Sequence, residues 1–113
     1  MDERRTLRVS EAVREELAEI IGFELDDPRL LDVDVTEVHV SPDSRHATVK
    51  IAARGDEKQQ NQALTALMHA ESYLRRELAS RLQLRHVPEL HFERDKHPDA
   101  DSRIDFLQAR YHY

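Results

Sequence analysis

Apolar residues near the start of the chain recur at three- and four-residue steps. Val9, Ala12, Val13, Leu17, Ile20 and Ile21 share one side of a helical wheel, with Glu and Arg between them, which predicts a helix from about Leu7 to Leu25. Asp26-Asp27-Pro28 ends it, because the residue before a proline disfavours helical geometry. The period then drops to two. Val33 to Val40 is β-branched and alternating, but its phase slips: Val33 and Val35 share one face, Val38 and Val40 the other. One extra residue near Thr36 or Glu37 restores a common face, so a bulge is expected there. Ser41-Pro42-Asp43-Ser44 has the chemistry of a turn, and His46 to Ala53 places Ala47, Val49, Ile51 and Ala53 on one side. Together these segments predict an antiparallel hairpin.

Gly55-Asp56 closes the hairpin and opens a helix, with Gln59 where a capping box places its amide. The stripe Ala63, Leu64, Leu67, Met68 and then Leu74, Leu78, Leu82 is stretched across His69-Ala70-Glu71-Ser72-Tyr73. A kink giving two helices accounts for that spacing. Val87-Pro88 breaks the second helix, and Leu90 and Phe92 alternate with His91 and Glu93 in a third strand, with Pro88 fit only for its first position or an edge. Ser102-Arg103-Ile104-Asp105 is a capping-box pattern that predicts a short terminal helix. The order is helix, strand, strand, helix, helix, strand in a single α+β domain spanning residues 1–113. Three strands cannot hide both faces, so the helices are expected on one side of the sheet.

The composition narrows the function. At 113 residues, 39% hydrophobic and 35% charged, the chain has one modest core and no apolar run long enough to span a membrane. The charged stretch Met1 to Arg8 lacks the apolar region of a signal peptide. Cysteine is absent, which removes disulfides and thiolate chemistry and fits the cytoplasm. The net charge of −6 argues against nucleic-acid binding if taken alone. The distribution argues otherwise. Glu11 to Glu37 holds ten acids against two arginines, whereas Ser72 to His86 holds Arg75, Arg76, Arg81 and Arg85 against Glu77 alone. A basic face on an acidic molecule is therefore expected, with plain solvation of helix faces as the alternative.

No catalytic constellation is visible. The only glycines are Gly22 and Gly55, so there is no glycine-rich phosphate loop. The seven histidines show no paired helical spacing; His91 and His97 are the nearest candidates for a metal, and none is expected. The acid pairs Glu15-Glu16 and Asp26-Asp27 sit on an exposed face or beside a turn, where no pocket desolvates them. What remains is the helix–kink–helix. Arg75 and Arg76 are expected in the first turn of the second helix, where the dipole favours a phosphate. Arg75 borders the Leu74-Leu78-Leu82 stripe and can lie over the core, Arg76 and Arg81 face outward, and Arg85 falls beyond the helix.

Over nearly its whole length the sequence resembles ribosome-binding factor A. The resemblance is carried by Arg8-Val9 and the helix after it, ELDDPRL at 24–30, VDVTEVHVSPDSRHATVKI at 33–51, YLRRELASRLQLRHVPELHF at 73–92 and SRIDFL at 102–107. It implies a KH-like fold of type II topology, with a three-stranded sheet and helices on one face. It also implies a non-catalytic, cofactor-free protein that binds the small ribosomal subunit and its rRNA. In the cytoplasm such a protein assists late maturation and processing of the 5′ end of small-subunit rRNA and supports growth in the cold. The implied partners are that subunit, neighbouring ribosomal proteins and an assembly GTPase, met by a monomer. Phosphate contacts fall to Arg5, Arg8, Arg75, Arg76, Arg81 and Arg85, joined by Arg29, Arg45 and Arg103 at motif positions. The family kink, Ala-x-Gly, aligns with Ala70, Glu71 and Ser72. Ser in place of Gly disfavours a left-handed backbone and close phosphate approach, and is expected to cap the second helix with its hydroxyl.

Two other readings compete. A protein-interaction module would use the exposed sheet or the acidic first helix and would need no RNA. A small hydrolase or metal enzyme would need a base, ligand set or loop that is not visible.

Overall fold

Residues 3–95 are described by the computed structural model. The first helix, α1 (Glu3–Glu19), starts earlier than its apolar stripe and passes into a single π-helical turn, Ile20–Glu24, closed by Leu25 N–H on the Ile20 carbonyl at 3.0 Å. The wider turn keeps Ile20 and Ile21 buried while Gly22 and Phe23 turn outward. Asp27 then caps a 3₁₀ turn, Pro28–Leu30, with Pro at its start, where the missing N–H costs nothing.

Strand β1 (Val33–Val40) pairs antiparallel with β2 (His46–Ala53). Val35 lies opposite Ile51 and Glu37 opposite Lys50, which leaves Thr36 as the extra residue of the expected bulge. Its hydroxyl donates to the Lys50 carbonyl at 3.1 Å, and the phase shift lets Val35, Val38 and Val40 all face the core. In the turn, Ser44 takes φ 62°, and the Asp43 carboxylate accepts from the Ser41 hydroxyl at 2.6 Å and from the Arg45 N–H at 3.0 Å.

Helix α2 (Glu57–His69) begins with both bonds of the capping box: Gln59 N–H donates to Asp56 Oδ1 at 2.8 Å, and Asp56 N–H donates to Gln59 Oε1 at 2.9 Å. The break falls at Ala70 (φ −88°, ψ −1°), and α3 (Glu71–Arg81) follows at once. This corrects two expectations. The kink uses right-handed backbone, so it needs no glycine, and Ser72 lies inside α3, which has no side-chain cap. Arg75 and Arg76 consequently sit beyond the first turn, which carries Glu71 instead.

Pro88 is buried immediately before β3 (Glu89–Arg94), which pairs parallel with β2 and gives the sheet order β1-β2-β3. Helix α1 packs on β1 and α3, while α2 packs on the 3₁₀ turn, β2 and β3. The core lies between this helical layer and the sheet face built from Val49, Ile51, Val38 and Leu90, with Leu17, Ile20, Leu67, Leu74 and Leu78 opposite. No helix among the described residues covers the other face of the sheet. This is the α+β order expected of the type II KH-like arrangement, α-β-β-α-kink-α-β. The expected terminal helix from Ser102 lies outside the described residues.

Candidate nucleic-acid interface

The expected arginines divide into two groups. Arg29 donates to Asp27 through Nε at 3.1 Å and Nη2 at 2.8 Å. That pair holds the Asp27 carboxyl below its ordinary value, first through the side-chain bond and then through the Arg29 N–H. Arg81 meets Glu24, Glu77 (3.2 Å) and Glu16 (3.5 Å) at once. The bond to Glu24 contributes most to raising its guanidinium further above the usual arginine value. A cation shared among three carboxylates presents little net positive charge to a phosphate. Arg75 is also engaged: Nη2 donates to the Val87 carbonyl at 3.0 Å, and Nε, 3.7 Å from Glu71, is buried without a hydrogen-bond partner. Its head ties α3 to the segment before β3.

Arg5, Arg8, Arg45, Arg76 and Arg85 are exposed. Of these, Arg8, Arg76 and Arg85 carry no side-chain hydrogen bond or ion pair among the described residues. Several backbone links gather their elements. Val40 N–H donates to Ser10 Oγ at 2.9 Å, which places the first half of α1 beside the hairpin tip. Glu89 N–H donates to the Arg45 carbonyl at 2.8 Å, which places the start of β3 there too. With Arg75 bound to Val87, these links connect the first half of α1, the hairpin tip, the start of β3 and α3. Arg103 lies outside the described residues.

Sequence reasoning found these cations but could not see their counter-charges. Glu24 lies 57 residues from Arg81, and only the packing of α1 against α3 joins them. The same limit applies to the histidines. His91 meets His46, with Glu89 beside both, while His97 lies outside the described residues. Alternation alone puts all three on polar strand faces, but the parallel pairing of β2 with β3 is needed to bring them together.

Ser10 is the one buried polar side chain among the described residues, and it accepts from backbone. One open depression is lined by Arg29, Glu57, Lys58, Asn61, Gln62 and Thr65. No helix among the described residues is long and apolar enough to cross a membrane.

Comparison with known proteins then decides the family. The family model described as ribosome-binding factor A matches residues 5–108. The chain belongs to the ribosome-binding factor A family. It is 78% identical over 110 residues to ribosome-binding factor A of Solibacter usitatus, covering 97% of this chain and 89% of the relative. The crystal structure of ribosome-binding factor A from Thermus thermophilus superposes with a TM-score of 0.71 at 34% identity, over 79% of this chain and 94% of that one. Coordinates for the Thermus thermophilus factor fitted into a cryo-EM map of a 30S complex match with a TM-score of 0.62 at 36% identity, over 74% and 88%.

Proposed function

We propose that this protein is a non-catalytic assembly factor that binds the small ribosomal subunit and its rRNA in the cytoplasm, assisting late maturation and processing of the 5′ end of small-subunit rRNA. Membership of the ribosome-binding factor A family carries this reading, and the relative fitted into a 30S complex supports the partner. The structure supplies a physical route. Arg8, Arg45, Arg76 and Arg85, exposed on elements joined by those backbone links, contact phosphates, while Arg29 and Arg81 are held by carboxylates and contribute less. The action is positional: a rigid protein that binds one conformation of a switching RNA more tightly than another shifts that equilibrium by the difference in affinity. With the acidic remainder of the molecule, affinity depends on a local patch, so binding weakens steeply with salt.

A second reading has one observation behind it. Phe23 and Leu31 are 87% and 81% exposed within the acidic segment, as a protein-docking surface would require. Gradient sedimentation of the tagged protein in lysate, at low and raised salt, separates the two. Nuclease-sensitive co-migration with free small subunits, lost at raised salt, supports the RNA reading. Protein that stays at the top of the gradient at low salt overturns it, and nuclease-resistant association favours docking on protein.

A further inference from the structure

The sheet face that carries no helix among the described residues holds a group of side chains that the ribosomal reading does not use. His46 opens β2 and Glu89 opens β3, and the parallel register sets them directly opposite, with Thr48 opposite His91. Ala47, Val49 and Leu90 point into the core, so His46, Glu89 and His91 rise together on the opposite face. His46 Nδ1 lies 3.0 Å from His91 Nε2, and Glu89 Oε2 lies 3.5 Å from the first and 3.7 Å from the second.

We propose that His46, Glu89 and His91 form a binding site for a divalent transition ion of the zinc class. Four-coordinate zinc takes imidazole nitrogen and carboxylate oxygen at about 2.0–2.2 Å in a tetrahedron, which sets neighbouring donor atoms roughly 3.3 Å apart. The three observed separations scatter around that edge length. A hydrogen bond between the two imidazoles accounts for the 3.0 Å contact, but not for the carboxylate. Glu89 stands beyond ordinary hydrogen-bond distance from both ring nitrogens, yet its oxygen converges on the same point. A cation there joins two nitrogen lone pairs and one negative charge that no single proton can bridge.

The donor set selects the ion. Two imidazoles and one carboxylate suit zinc and its transition-metal neighbours, whereas calcium and magnesium prefer all-oxygen shells. The three side chains are each about half exposed, at 55–56%, so the fourth position opens to solvent and to any donor from a partner. Because the ligands come from the first position of β2 and the start of β3, the ion clamps β3 onto the central strand of the sheet. The proposal does not rest on the ribosomal reading.

Zinc chloride titrated into the tag-free, full-length protein by calorimetry tests this directly. One equivalent is expected to bind, and His46→Ala or His91→Ala to weaken the association about tenfold or more, since changes even in groups behind the ligands cost that much. Glu89→Gln keeps the shape, removes the charge and is expected to weaken binding as well. His39→Ala, on the same face but bonded to Glu37 at 2.7 Å, is the control and leaves binding intact. Zinc is further expected to raise the wild-type unfolding midpoint, an effect lost in the ligand variants. Circular dichroism establishes that these surface variants are folded. Absence of zinc binding overturns the proposal, as does binding of one or several equivalents that the double variant His46→Ala, His91→Ala leaves unchanged.

Discussion

The Ser10 hydroxyl accepts the backbone N–H of Val40 at 2.9 Å, a bond between residues 30 positions apart that holds α1 to the open edge of β1. Ser41 N–H bonds to the His46 carbonyl, so the next N–H along, that of Val40, points away from β2 and has no strand to receive it. Ser10 takes the place of a fourth strand at that point, and both groups are buried. Ser10→Ala leaves the N–H without an acceptor and is expected to cost about 1–3 kcal/mol, read as a lower urea midpoint with an unchanged slope.

Arg76 and Arg81 lie on the same helix and are expected to behave differently when reversed. Arg76→Glu removes an exposed cation with no partner among the described residues, so it weakens subunit association and reduces the salt slope by about one unit. Arg81→Glu places a fourth carboxylate among Glu16, Glu24 and Glu77. It is expected to lower the thermal midpoint while leaving the salt slope of the folded protein unchanged. Equal losses of slope in both variants would remove the distinction between engaged and available arginines.

Ser72→Gly restores the residue usual at the family kink, but the backbone gives it no advantage. Ser72 is helical and exposed, and the turn of the chain occurs at Ala70 with negative φ. Glycine there costs about 0.5 kcal/mol of helix propensity and leaves the kink unchanged. Gly55 is the contrasting position: at φ +104° a Cβ would sit 2.2 Å from Gln59 Oε1, inside the capping box. Gly55→Ala is therefore expected to destabilise the fold more than Ser72→Gly, a ranking that parallel denaturation curves check.

Acid should loosen two local turns. Asp43 is held below its ordinary value by the Ser41 hydroxyl, then by the Arg45 N–H, and Asp27 likewise by Arg29. A carboxyl with a depressed folded pKa contributes stability that is complete above the unfolded value of about 3.9 and disappears as pH falls through the lower, folded one. Asp43 is exposed and Asp27 partly so, and solvent screens the effect at both. The stability of the wild type is expected to fall below about pH 4 more steeply than that of an Asp27→Asn, Asp43→Asn variant, measured by urea unfolding across that range.

The legible parts of the fold were those encoded locally. The slip between Val35 and Val38 announced the bulge at Thr36, and Asp56 with Gln59 announced the start of α2. The stretched spacing after Met68 marked the break at Ala70. The π-helical turn was hidden because Ile20 and Ile21 continue the apolar stripe through it. At the interface, the identity of the arginines was legible and their availability was not. Whether a guanidinium meets Glu24 or solvent is decided by how α1 docks against α3, and no spacing in the sequence records that.

The middle strand acquires its two neighbours at very different times. β1 and β2 are joined by a short turn, whereas all of α2 and α3 separates β2 from β3. As the chain emerges N-terminus first, the hairpin can close early, while one edge of β2 waits for both helices and Val87-Pro88. Non-local, parallel pairing is the slower step and exposes what it leaves unpaired. A chain halted before Glu89 therefore offers neighbouring chains a bare row of N–H and C=O groups beside Ala47, Val49 and Ile51. Such a fragment is a template for self-association, and synthesis that lingers there puts solubility at risk.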